Sequence, residues 1–362
     1  MTDLADEQDF LSLLDPGALA VDFSTGPDWL GALRSISAET AAAASWTRSP
    51  SRPPELNSLA APLVYRSWSA LRAHAASLCL AMPHPVFDPG AIAIQLLRQL
   101  THFIDVAVSR VLALELGIAK LEGRLAGETP GERYQSFLIS LGTPEEISRF
   151  YRRYPVLARL IWEAQERWRA ASCELLNRVC ADWALLGEEL ASRSDPGILE
   201  AVEGGLGDSH NRGRSVQLLT FSSGLKVLYK PRSLAIDQRF AEILHWLKDR
   251  GSEEIRVPKT LDRGEYGWSE FVSPQPCKEP RELERFFLRQ GALLAVLHAL
   301  RAIDFHSENL IAAGEFPVPV DLELLFCGEF AEDSRGPYES PAEIELSESV
   351  MRVMLLPFLN VE

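Results

Sequence analysis

The chain has 362 residues, 46% hydrophobic and 24% charged, a balance that excludes wholesale disorder and allows two domains or one large one. Its 36 basic and 51 acidic residues leave a net charge of −15, a poor match for general nucleic-acid binding or an anionic membrane surface. Five scattered cysteines (Cys79, Cys173, Cys180, Cys277, Cys327) with no CxxC pair fit a reducing cytoplasm and argue against a disulfide framework or a cysteine-built zinc site. No apolar run approaches the ~18 to 20 residues of a membrane span. Asp3, Asp6, Glu7 and Asp9 stand where a secretory signal needs positive charge.

The first half reads as helical. Residues 1–60 are weakly patterned and end in the loop-forming run Ser49-Pro50-Ser51-Arg52-Pro53-Pro54. From Ala91 to about Leu125, the residues Leu97, Leu100, Ile104, Ala107, Val111, Leu114 and Ile118 alternate spacings of three and four, which predicts one helix with one apolar stripe. Thr143-Pro144-Glu145-Glu146 predicts a capping box with proline at the first helical position. A second stripe follows through Leu157, Ile161, Ala164, Trp168, Leu175, Val179 and Leu186. Both stripes are core patterns. The predicted division is therefore a helical region over 1–200 and a second region over 201–362.

The texture changes at Gly204. A glycine-rich loop runs to Gly213, followed by a predicted hairpin of 214–221 and 225–232 around Ser222-Ser223-Gly224. Lys226, Leu228 and Lys230 share one face of its second strand. A helix starting at Ser233 carries Phe240, Ile243, Leu244 and Leu247 inward. A second hairpin, 255–261 and 266–272, turns at Asp262-Arg263-Gly264-Glu265. A helix from Pro280 to Leu300 then leads into a polar loop with Asp304, His306 and Asn309. A short hairpin of 310–313 and 318–326 follows, turning at Gly314-Glu315 and carrying Asp321 and Glu323.

That order matches what phosphoryl transfer from ATP demands: a backbone-rich loop over the phosphates, a cation to orient them, oxygen ligands for Mg2+, and a carboxylate to accept a hydroxyl proton. Gly207, Gly213, Arg214 and Lys230 are the candidate nucleotide contacts, in a local basic cluster that also includes Arg212 and Arg232. Asp304 is the candidate base. Asn309 and Asp321, twelve residues apart across a predicted hairpin, are the candidate metal ligands, and Glu323 shares the strand parity of Asp321. Two roles are open to His306: touching the γ-phosphate or positioning the base, or bracing the loop. Glu242, Glu265 and Glu270 are alternative carboxylate partners for Lys230. The strand Ser269-Glu270-Phe271-Val272 reads either as an adenine-binding hinge or as a core strand. His210 reads either as a phosphate contact or as a loop residue. The remaining histidines form no HExxH-type spacing, so no zinc is expected.

These residues resemble a known family. The segments 207–216 (GDSHNRGRSV), 229–233 (YKPRS), 266–271 (YGWSEF), 304–312 (DFHSENLIA) and 321–323 (DLE) occur in the order found in the dehydratase domain of class II lanthipeptide synthetases, the LanM type. The resemblance is dense from about 204 to 330, with weaker extensions back through Tyr154-Pro155-Val156 and forward to Leu355-Leu356-Pro357. It implies an α+β fold with a lipid-kinase-like N-lobe, a small antiparallel sheet and a C-lobe left incomplete here. It also implies a cytoplasmic, ATP- and Mg2+-dependent reaction on a ribosomally made precursor peptide. Phosphorylation of Ser or Thr is followed by phosphate elimination to dehydroalanine or dehydrobutyrine. By the resemblance Lys230 holds the phosphates, Asp304 is the base with His306 beside it, and Asn309 and Asp321 bind Mg2+ with Glu323 assisting.

The chain also departs from the family. In longer members an arginine and a threonine beyond the acid pair serve elimination. Here 39 residues follow Glu323, and neither Arg335 nor Arg352 can be assigned that role. No cysteine follows Cys327 and no histidine follows His306, so the family's zinc-dependent cyclisation is not expected of this chain. The expectation is a dehydratase segment completed by a separately encoded remainder or cyclase. A non-catalytic precursor-binding module and a phosphorylation-only kinase are the alternatives.

Overall fold

A computed structural model describes residues 59–191, 194–205, 214–327, 345–346 and 348–357. The chain divides into two compact units, one of residues 1–77 and 89–175, the other of 78–88 and 176–362.

The first unit is built from helices: α1 (Ala61–Ala81, continuing into the other unit), α2 (Pro89–Leu121), α3 (Pro130–Ser140), α4 (Pro144–Arg153) and α5 (Pro155–Ala181, likewise continuing). Thr129 and Glu132 form a reciprocal capping box at α3, which the sequence reading did not pick out. Thr143 caps α4 by accepting the Glu146 amide, with Pro144 opening the helix. The predicted capping box is only half formed, because the Glu146 carboxylate pairs with Arg149 instead of returning to Thr143. The α5 stripe is buried at every predicted position from Leu157 to Val179. The α2 stripe needs correction. It follows the prediction through Leu97, Leu100 and Ile104, then shifts to Val108, Glu115 and Ala119, leaving Leu114 exposed. The reason is helical geometry: a repeat of alternating threes and fours drifts on a helix of about 3.6 residues per turn. The buried face therefore passes from Leu114 to Glu115, whose carboxylate accepts from Tyr154 Oη and pairs with Arg153 at 3.0 Å.

The second unit carries a five-stranded antiparallel sheet in the order β1-β2-β3-β5-β4, with β1 Leu199–Glu203, β2 Gln217–Phe221, β3 Lys226–Lys230, β4 Thr260–Asp262 and β5 Gly267–Glu270. Helix α6 (Ala235–Lys248) follows β3, and α7 (Pro280–Ala299) leads to the hairpin β6 (Leu310–Ala313) and β7 (Phe316–Pro319). Gly224, at φ +86°, supplies the left-handed residue that the β2–β3 turn needs. Gly267 has a different reason: a Cβ there would lie 2.5 Å from Leu234 and 2.8 Å from the Leu261 carbonyl, so only glycine fits opposite Lys230 in the ladder. This α+β arrangement with a small antiparallel sheet agrees with the sequence reading.

One apolar cluster joins α6, α7 and the segments that follow: Phe240, Leu244, Leu293, Leu297, Phe305, Leu322, Leu325 and Val353. Phe305 and Leu322 are its anchors in the polar loops, 1% and 2% exposed. Each sits at the centre of a triplet, Asp304-Phe305-His306 and Asp321-Leu322-Glu323. Burying the middle side chain, worth about 1.5–3 kcal/mol apiece, fixes the loop and leaves the polar neighbours on its other side.

Candidate functional site

Lys230 ends β3 on a buried stretch of chain, and its Nζ donates to the Val320 carbonyl at 2.6 Å. Val320 in turn donates its N–H to the carbonyl of Asn309 at 3.1 Å, extending the β6–β7 pairing by one step. A single residue therefore joins the strand lysine to the loop asparagine, and its chain neighbour is Asp321. The β7 strand ends at Pro319, shorter than the predicted 318–326. Asp321 and Glu323 consequently do not share a strand face. They meet in a turn, where the Glu323 amide donates to Asp321 Oδ1 at 3.2 Å.

Arg232 organises the carboxylates. Its Nη1 lies 2.9 Å from Asp237, its Nη2 3.4 Å from Asp321 and its Nε 2.6 Å from Glu323. Asp237, in the first turn of α6, is 6% exposed and also 4.0 Å from Lys230 Nζ. Three acids thus face two cations. Burial pushes the Lys230 ammonium below its ordinary value against the pull of Asp237. Arg232 is buried too, but Asp237, Glu323 and Asp321 outweigh that cost and hold its pKa above the ordinary value.

Asp304 has φ +68°, a conformation few non-glycine residues adopt, in a loop tied at both flanks: Ile303 donates to Leu324 and Phe305 to Val353. Asn309 Nδ2 donates to the Asp304 carbonyl at 2.7 Å, which leaves its side-chain oxygen for other work. His306 Nε2 stands 3.5 Å from Asp304 Oδ1, while its Nδ1 receives the Glu308 amide at 3.3 Å. His306 thus braces the loop and stands beside Asp304.

The remaining assignments fall elsewhere. Gly207, Gly213, Arg212 and His210 lie outside the described residues. Arg214 is half-buried just before β2. Glu242 is exposed on α6 and pairs with Arg239, one turn away on the same surface, so it does not partner Lys230. Glu270 pairs with Arg256 at 2.7 Å, and its own amide is already given to Lys259. Glu265 faces solvent near Arg178. The carboxylate near Lys230 is Asp237, which the sequence reading missed. Its signal was there: Asp237, Phe240 and Leu244 share one helical face, so an acid stands on the buried stripe.

Among the described residues no group of three or more His, Cys, Asp or Glu side chains is arranged to hold a metal ion. The oxygen donors here are fewer, the Asn309 amide and the carboxylates of Asp321 and Glu323, and a guanidinium already stands against both acids. In type these are the donors of a hard divalent cation such as Mg2+, which takes one or two carboxylates and fills its shell with water and phosphate oxygens.

The fold and the cluster define an α+β protein with a buried lysine–arginine pair set against a loop-borne acid pair. A family model described as "Domain of unknown function (DUF4135)" matches residues 154–362, and the chain belongs to that family. Among curated proteins it is 26% identical over 266 residues to the lacticin 481/lactococcin biosynthesis protein LcnDR2 of Lactococcus lactis subsp. lactis, covering 70% of this chain. The chain spans 28% of that relative's length. The two matches bear out the resemblance read from the motifs, to the dehydratase region of LanM-type synthetases, and the family match begins at Tyr154, where the weaker resemblance began. Among the described residues no helix is long and apolar enough to cross a membrane.

Proposed function

We propose that this chain acts in lantibiotic biosynthesis as a kinase-like dehydratase segment that modifies serine and threonine in a ribosomally made precursor peptide, in the cytoplasm. The observation that supports this best is the junction at Val320, which gathers Lys230, Asn309 and Asp321 from three separate stretches of chain. Lys230 keeps two ammonium protons beyond the one given to Val320, enough to bridge nucleotide phosphate oxygens. The Asp304 carboxylate takes the proton of the precursor hydroxyl as its oxygen attacks the γ-phosphorus and ADP leaves. Asn309, Asp321 and Glu323 would hold the divalent cation, whose charge offsets that of the phosphates. In the second step a base takes the precursor's Cα proton, the C–H electron pair becomes the Cα–Cβ double bond, and the Cβ–O bond breaks with its electrons leaving on inorganic phosphate. The positive charge of Lys230 and Arg232 stabilises the departing anion.

Mass spectrometry of a precursor peptide incubated with ATP, Mg2+ and the chain tests this. Phosphorylation adds about 80 Da and completed dehydration removes about 18 Da per residue, as the phosphoryl-transfer scheme requires. A precursor returned unchanged would overturn the reading and favour a binding module.

A further inference from the structure

Arg232 spends three nitrogens on three different carboxylates, and the three are not equivalent. Asp237 is 6% exposed, whereas Asp321 and Glu323 are 44% and 38% exposed. The inner pair is shielded from water and strong, and the outer pairs are screened and weak. A guanidinium held firmly at one end and loosely at the other can give up its outer partners without leaving the site. Those outer partners are the two carboxylates that a divalent cation would use.

We propose that Arg232 is a built-in counter-ion of the acid pair: it neutralises Asp321 and Glu323 while no metal is bound, and it yields both to a divalent cation while staying on Asp237. This rests on the metal-dependent reading above. The consequence is a site that does not repel its own acids when empty and does not bind free metal tightly. Tight binding then waits for nucleotide phosphates, which fill the coordination shell and offer the released guanidinium an anion. Arg232 acts here through the carboxylates and is a positioning residue. Two further facts fit. Its Nη1 also donates to the Ser233 carbonyl at 3.0 Å, so the inner end has a second anchor. Lys230 does not take its place: its ion pair is with Asp237, at 4.0 Å, and not with the outer acids.

The test is Mn2+ binding to the 362-residue chain, read by electron paramagnetic resonance without nucleotide. Arg232→Gln removes the competing charge and raises affinity for Mn2+ alone about tenfold, as expected for a full charge a few ångströms from the ion. Arg232→Lys keeps the charge and stays near the parent value. Unchanged or weaker binding by Arg232→Gln overturns the counter-ion role. Should that variant fold poorly, the unsubstituted chain serves: the side-chain Nε–H resonance of Arg232 shifts on saturation with Mg2+, and a resonance that stays put counts against the proposal. If the unsubstituted chain binds Mn2+ with ATP but the variant shows no gain, only the counter-ion role fails. If it binds Mn2+ neither with ATP nor without, the metal-dependent reading fails with it.

Discussion

Two polar knots lie in the second unit, and they are built on opposite principles. In one, Asp182 is fully buried and takes Tyr266 Oη at 2.7 Å and Trp268 Nε1 at 2.8 Å, with Arg263 Nε at 3.0 Å from its other oxygen. Arg178 stacks on Tyr266 at 4.1 Å and donates to Tyr229 Oη, and the rings of Tyr229, Tyr266 and Trp268 close the group. One acid meets several donors, two of them neutral, so its charge is absorbed on the spot. The knot pins the chain just after α5 to β5 and breaks the helical run at Asp182. In the other knot two cations meet three acids, and two of those acids keep a face to solvent. The first spends its polarity on structure. The second leaves a net negative charge facing solvent.

Breaking each knot gives different losses. Lys230→Met or Asp304→Asn removes a charge that the proposed reaction uses, and precursor phosphorylation is expected to fall by about 10²–10⁴-fold or more. Thermal unfolding stays close to the parent, because Lys230 was buried at a cost and Asp304 is half-exposed. Parent-like phosphorylation in either variant would sink the assignment. Asp182→Ala does the reverse. It leaves the buried Trp268 indole and the Tyr266 phenol without their acceptor, while the partly exposed Arg263 returns to water. It lowers stability by about 1–3 kcal/mol in a denaturant titration. A loss below about 1 kcal/mol, the worth of an exposed pair, would place the knot among ordinary surface contacts.

The smallest effect sharpens the contrast by sign. Burial, with the Asp182 hydrogen bond, raises the Tyr266 phenol above its ordinary 10.0, while burial lowers Lys230 below its ordinary 10.5. Above pH 10 the unfolded tyrosine ionises before the folded one, so stability falls with rising pH there. Between the depressed value of Lys230 and 10.5, the unfolded chain holds more protons, so stability rises with pH over that window. Melting curves across the alkaline range should therefore lose their downward contribution in Tyr266→Phe and their upward one in Lys230→Met. The same slope change in both variants would contradict the pair of shifts.

How much of this could be read from sequence depended on range. Strand alternation, the turn at Gly224 and the Pro280 helix start are local signals, and they placed β2, β3 and α7 closely. The Asp182 knot joins residues 84 and 86 apart in the chain, and Arg232 reaches Asp321 across 89, with no period to announce either. The predicted α2 stripe also repeated every seven residues, which drifts on a helix of about 3.6 residues per turn. That drift left Leu114 exposed and put Glu115 on the buried face, where Tyr154 and Arg153 meet it. Asp304, Asn309 and Asp321 were legible because their chemistry is specific to type and order. Asp237 was passed over because an acid near a helix start has an ordinary explanation as a dipole partner.

The junction at Val320 has one more consequence. Both of its links use the main chain, so no side chain other than proline's ring can undo them, and the valine packs with the apolar cluster of the β6–β7 hairpin. The residue that holds the lysine and the loop together can therefore drift among aliphatic types without any change in chemistry. A comparison of relatives that looks only for invariant letters would walk past it. The one natural substitution that cuts the joint is proline, which lacks the N–H and would separate Asn309 from Asp321 while leaving every charged group in place.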